Sequence, residues 1–151
     1  MRVFRLSRSK YADELSGKGA ALSGNRWNSK GTEIIYTAEG RALALAEVAV
    51  HLSIAALPKD FMMITIDIPD SLSVKTLDAA ILPENWNTHP PIRATQQLGD
   101  EFIFSGEYAL LKVPSAVVMG DFNFLINPHH ADFKQIKIAS AQAFPIDRRL
   151  F

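Results

Sequence analysis

Residues 24–52, GNRWNSKGTEIIYTAEGRALALAEVAVHL, hold the reading of this chain together. Three segments adjoin there. Gly24-Asn-Arg-Trp-Asn28 is a polar loop, opened by glycine, that carries a cation and an indole. Thr32 to Thr37 alternates as a strand, with Ile34 and Tyr36 on one face and Glu33 and Ile35 on the other. From Arg41 to about Leu52 runs a helix in which positions 42–50 are all Ala, Leu or Val except Glu47. Such a helix is apolar nearly all round and reads as buried.

Glu47 carries the most chemical information. Leu43, Glu47 and Val50 share a helix face. An ionised carboxylate turned inward costs several kcal/mol unless it is paired or hydrogen-bonded. It reads either as an inward, functional carboxylate or as a solvated charge in a gap of the apolar surface. Arg26, flanked by Asn25, Trp27 and Asn28, suits bidentate binding of phosphate or carboxylate, with the indole as a stacking surface. The plainer reading is a structural Arg–Glu pair with Trp27 as a core anchor. Tyr36 ends its strand just before the Glu47 helix and alone is an ordinary sheet tyrosine.

Outward from this stretch, the composition describes one globular domain over residues 1–151, 48% apolar and 21% charged. Sixteen basic and sixteen acidic residues cancel, which argues against a broad nucleic-acid surface. Arg2, Arg5, Arg8 and Lys10 make the start locally basic; they read as a solvated strand and loop, with phosphate contact as the alternative. Cysteine is absent, so disulfide and thiolate chemistry is excluded and a reducing compartment fits. No signal-peptide core opens the chain, and the apolar run at 42–50 is too short for a bilayer. The expectation is a cytoplasmic protein without membrane contact. His129-His130 lacks metal-ligand spacing, and no metal site is expected. His51 and His89 are isolated. No Gly-x-Ser-x-Gly surrounds Ser115.

Periodicity and breakers then give the remaining elements. Arg2–Leu6 reads as a strand, Lys10–Leu15 as a short helix capped by Ser9, and Gly17–Gly24 as a glycine-rich loop without the spacing of a P-loop. Phe61–Ile68 is a strand with Ile64, Ile66 and Ile68 on one face. Ser71–Pro91 is irregular, with a short strand near Val74. Pro91 opens a helix with Ile92, Thr95, Leu98 or Gly99, and Phe102 on its apolar stripe, and Gly106 closes it. Tyr108–Val113, Ala116–Met119, Asp121–Asn127 and Gln135–Phe144 read as strands. Strands do not alternate regularly with helices. The fold class is therefore α+β, one compact domain with mixed or antiparallel sheets and two main helices.

An ordered set of short motifs resembles one family. Gly17-x-Gly-Ala, Gly24-x-Arg-Trp-Asn28, Gly31, Ile35-Tyr36 and Ala-Leu-Ala-x-Glu47 resemble the start of the RES domain, the toxin half of bacterial Xre–RES toxin–antitoxin pairs. Thr95-Gln-Gln-Leu-Gly-Asp100, Leu111-Lys-Val-Pro-Ser115 and Asn123-Phe-Leu-Ile-Asn127-Pro-His-His resemble its later segments, as does the terminal Phe-x-x-Asp147-x-Arg149-Leu. Asn25 stands where a second glycine is common. The resemblance implies an ADP-ribosyltransferase-like domain that depletes NAD⁺ by cleaving its nicotinamide–ribose bond. NAD⁺ is substrate, not cofactor, and the acceptor is phosphate or water. Alternatives are mono-ADP-ribosyl transfer to a protein, or a non-catalytic partner that only modulates a repressor. By resemblance the catalytic residues are Arg26, Tyr36 and Glu47, with Trp27, Asn28, Ser115 and Asn127 binding substrate. The implied partner is an Xre-type helix-turn-helix antitoxin that blocks the active site in a hetero-oligomer, with no direct nucleic-acid contact.

Overall fold

The computed structural model describes residues 1–151. Seven strands form one sheet: β1 (Arg2–Arg8), β2 (Ile35–Ala38), β3 (Phe61–Asp67), β4 (Val74–Thr76), β5 (Leu110–Pro114), β6 (Phe122–Ile126) and β7 (Lys137–Ala143). Their order is β4-β5-β6-β2-β1-β3-β7. All neighbours are antiparallel except β4 and β5. Three helices accompany the sheet: α1 (Lys18–Ser23), α2 (Arg41–Ala49) and α3 (Arg93–Ser105). The α+β class and mixed sheet expected from the pattern are present. No helix is long and apolar enough to cross a membrane.

Both faces of the sheet are covered, which is why β3 buries more than its alternation suggests. Ile64 and Ile66 join Val3, Ile35, Leu110 and Ile126 in the central cluster. Met63, on the other face, packs with Leu6, Phe61 and α2's Leu43 and Ala44. A third cluster sets Phe102 and Ile103 of α3 against Ile34, Leu111 and Leu125. Thus α2 lies over one half of the sheet and α3 over the other.

Between those halves the sheet nearly parts. Neighbours β1 and β2 pair at one position, Phe4 opposite Ala38. β1 spends its length on β3, in register from Arg2–Asp67 to Arg8–Phe61. β2 spends its length on β6, from Ile35–Ile126 to Ala38–Asn123. A cleft opens at this seam.

Several expectations need correction. The helix placed at Lys10–Leu15 is only a 3₁₀ turn at Ser9–Tyr11. Ser9 does not cap it, because its hydroxyl and N–H both go to Asp60. The glycine-rich stretch contains α1 instead; Ala20 packs on the α3 cluster and Ala21 O accepts the Gly31 N–H. Close backbone approach does occur there, since a Cβ on Gly17 would lie 2.6 Å from Ile34 N. Ala116–Met119 is a turn, not a strand, and Met119 is 95% exposed. Finally, α2 ends at Ala49 and is not buried all round. Only Leu43 and Ala44 are buried, because another face of this helix borders the cleft.

Candidate active site

The Arg26 loop is built to be rigid. Asn25 and Asn28 bond each other's backbone, N–H to O at 2.9 and 3.4 Å. Gly24 enters with φ 73°, a conformation that favours glycine. The buried Asn28 side chain donates to Ala20 O and Thr32 O, at 2.9 and 3.0 Å. Its Oδ1 accepts the Tyr36 hydroxyl at 2.6 Å, and that hydroxyl accepts the Trp27 N–H at 3.0 Å. Tyr36 is therefore a strut under the loop. Burial pushes its phenol well above the ordinary value of 10.0, so it stays protonated.

From the far side α3 grips the same loop. Gln96 donates to Asn25 O at 3.1 Å. Asp100 accepts the Ser29 N–H at 3.0 Å and the Ser29 hydroxyl. Between them Gly99 lies directly on the Trp27 carbonyl, where a Cβ would come within 1.6 Å of the oxygen. Positions 96, 99 and 100 share one helix face, as i, i+3, i+4 spacing requires.

Together these elements wall a cleft of about 750 Å³. Arg5, Arg26, Tyr36, Glu47 and Asn123 line it, and His51 and His89 sit in its wall with ring centroids 6.3 Å apart. Nη1 of Arg26 donates to Trp86 O and Thr88 O at 2.8 and 2.9 Å, tying the 83–91 segment across the cleft. Its Nε and Nη2 donors are not used by the protein. Burial lowers the Arg26 pKa, and the charge of Glu47 opposes this. Arg5 is a second cation: its one hydrogen bond, to Ser16 O, is a long 3.4 Å, and it forms no ion pair. Burial lowers its pKa as well.

Glu47 is half-buried in the cleft wall. Its Oε1 accepts the Ser115 hydroxyl at 2.8 Å and Asn123 Nδ2 at 2.6 Å. Its Oε2 takes no donor from the protein and is not among the buried unpaired atoms, so it is open to the cleft. The carboxylate is thus neither a surface charge nor a partner in a structural Arg–Glu pair.

The structure brings Arg26, Tyr36 and Glu47 to one cleft, and of the residues expected to bind substrate only Trp27 borders it. Trp27 is 2% exposed; its indole packs with Trp86, ring centroids 6.2 Å apart, in the α3 cluster. Asn28 is spent on the loop. Ser115 reaches Glu47 from behind and does not line the cleft. Asn127 is 1% exposed and lies away from the cleft, with its Oδ1 accepting the His129 N–H. The sequence pointed to Arg5 only within a basic start, with phosphate contact as the alternative, left His51 and His89 as isolated, and gave Asn123 no role of its own. Asn123 had a faint signal, a polar residue on the Leu125 face of a strand, but nothing local linked it to Glu47. No group of three or more His, Asp or Glu side chains converges as metal ligands would.

Comparison with known proteins agrees over the whole chain. The family model described as RES domain matches residues 2–147. The Prs ADP-ribosylating toxin of Sphingobium sp. (strain YBL2) is 38% identical over 151 residues, covering 99% of this chain and 94% of that one. The Toxin Res of Photorhabdus laumondii is 39% identical, covering 99% and 97%. Among solved structures, the Mycobacterium tuberculosis MbcT–MbcA toxin–antitoxin complex holds a chain that aligns with a TM-score of 0.74 at 21% identity. It covers 99% of this chain and 85% of that one, a likeness of fold.

Proposed function

Because this chain belongs to the RES domain family, we propose that it is the enzymatic toxin of a toxin–antitoxin pair and cleaves the nicotinamide–ribose bond of NAD⁺. The observation that carries this reading is the Glu47 carboxylate, pinned through one oxygen with the other open to a cleft that holds two cations. NAD⁺ has matching charges. Its pyrophosphate is anionic, and its nicotinamide ring is cationic.

The bond that breaks joins ribose C1′ to the nicotinamide nitrogen. Both electrons leave with nicotinamide, which departs neutral, so no general acid is needed. The ribose is left as an oxocarbenium-like cation. A fixed, partly desolvated carboxylate stabilises that charge as it develops. The free Oε2 also accepts ribose hydroxyls. Arg5 and the unused donors of Arg26 bind the pyrophosphate or an incoming phosphate. The Tyr36 ring gives the cleft a flat wall, while its hydroxyl, committed to the loop, takes no part in proton transfer. The cation is then captured by a phosphate oxygen, or by water with loss of a proton.

A second reading is transfer to a protein nucleophile, favoured by the name of the Sphingobium relative, an ADP-ribosylating toxin. The toxin–antitoxin complex of similar fold supports an antitoxin partner; that this partner is of the Xre type and covers the cleft rests on the family resemblance. Incubation of the purified protein with NAD⁺, with and without phosphate, tests the reading by nicotinamide release. Turnover is expected from the wild type and a loss of at least about a hundredfold from Glu47→Gln. Wild type that leaves NAD⁺ intact under both conditions would sink the proposal, and label appearing on protein would select the second reading.

A further inference from the structure

We propose that Asn123 and Ser115 are positioning residues that reserve the two oxygens of Glu47 for different tasks: Oε1 is the anchored atom and Oε2 the substrate atom. The inference rests on the NAD⁺-cleaving reading and deepens it.

The directionality follows from the hydrogen-bond inventory. Ser115 Oγ accepts the Val117 and Val118 N–H groups at 3.1 and 3.0 Å. Two accepted bonds fill its lone pairs, so its proton is the only valence left, and it goes to Glu47 Oε1 at 2.8 Å. Ser115 therefore has no lone pair free to accept a hydrogen bond from substrate, and it does not line the cleft. The turn at residues 115–120 fixes this hydroxyl as a one-way donor.

Asn123 is fixed differently. Its Nδ2 donates to Glu47 Oε1 at 2.6 Å, while its Oδ1 is buried with no partner. An unpartnered buried acceptor is costly. The opposite amide orientation would set oxygen against the carboxylate, so the orientation seen is the one that serves Glu47. The β6 register, with Asn123 opposite Ala38 and Val113, holds its backbone on both sides.

Two donors on one oxygen leave the carboxylate no rotational choice. Oε2 must face the cleft, and it does so before substrate arrives. Charge stabilisation then requires no reorganisation during the reaction.

The test compares Asn123→Ala, Asn123→Asp, Ser115→Ala and Ser115→Thr by steady-state nicotinamide release from NAD⁺, with melting temperature as a fold check. For Asn123→Ala and Ser115→Ala, kcat falls about tenfold to a hundredfold, the range for loss of a charged hydrogen bond, while KM stays within about threefold. Asn123→Asp replaces the donor by a like charge and is slower than Asn123→Ala. Ser115→Thr keeps the hydroxyl and is faster than Ser115→Ala. A rise in KM at unchanged kcat would show that Asn123 binds substrate directly and overturns the assignment. So would Asn123→Asp as active as Asn123→Ala, or wild-type kcat in both alanine variants. If Asn123→Ala does not fold, the Ser115 pair decides. A wild type without turnover overturns the underlying reading, and with it this inference, and is recognised before any variant is compared.

Discussion

Replacing Gly99 with alanine puts a methyl group into the joint between α3 and the arginine loop. The new Cβ would lie 1.6 Å from Trp27 O, whereas ordinary contact starts at 3.4 Å. The helix and loop must separate by the difference, 3.4 minus 1.6, or 1.8 Å. The obstacle is backbone carbonyl on one side and helix backbone on the other, so neither gives way by rotating a side chain. Overpacking of this kind costs about 1–3 kcal/mol. A separation of that size also breaks the bonds from Asp100 to Ser29 and from Gln96 to Asn25. The expected total is about 3–5 kcal/mol, a fall in melting temperature of roughly 6–20 °C for a chain of this size. Arg26 rides on the displaced loop, and a misplacement of about 1 Å costs on the order of a hundredfold in rate. The control is Gly19→Ala in α1, whose Cβ would meet nothing within 4 Å. It should hold or raise the melting temperature, because alanine is the better helix former. Thermal melts and nicotinamide release on both variants decide the matter. A Gly99→Ala protein that melts within about 2 °C of wild type and retains full turnover would refute the claim that α3 sets the loop.

Other outcomes follow from the same geometry. Tyr36→Phe leaves the Trp27 N–H and Asn28 Oδ1 without their shared partner and should cost about 1–3 kcal/mol, read as a lower urea midpoint. The buried phenol titrates above its unfolded value, so the stability it confers is whole below pH 10.0 and is lost as pH rises from there through the folded value. Urea midpoints at pH 9 and above pH 10 should therefore diverge in wild type and diverge less in Tyr36→Phe, and equal slopes would count against the strut. Arg5→Met removes a poorly partnered, desolvated cation. The melting temperature should hold or rise, while KM for NAD⁺ increases about tenfold or more; destabilisation with unchanged KM would make Arg5 structural.

Much of the fold was legible because it is written locally. Alternation marked β2, β3 and β6, and Gly106, at φ 63°, closes α3 where the sequence placed its end. The lone carboxylate of α2 also stood out against its apolar run, although periodicity alone left a solvated charge as the other reading. What stayed hidden is long-range. Residues 42–50 could not reveal that one side of α2 faces a cleft, because the cleft exists only where β1 and β2 diverge. Asn28, Asn127 and Ser115 were recognisable as polar residues in meaningful places, but their roles depend on partners. Asn28 spends its amide on neighbouring backbone, and Ser115 on a carboxylate 68 positions earlier. The helix α1 was obscured by its glycines, which disfavour helix locally until packing against the α3 cluster outweighs them.

The grip on Glu47 also has a consequence in time. A chain is made from its N-terminus, and the arginine loop, the tyrosine and the glutamate all emerge early. Their holders do not. Asp100 comes 71 residues after Ser29, and Asn123 comes 76 residues after Glu47. Moreover, β6 must slide in beside β2 before Asn123 can reach its carboxylate. During translation the early segment therefore carries every charged group of the cleft without the contacts that aim them. The cleft is not complete until β6, in the last third of the chain, has been threaded in beside β2.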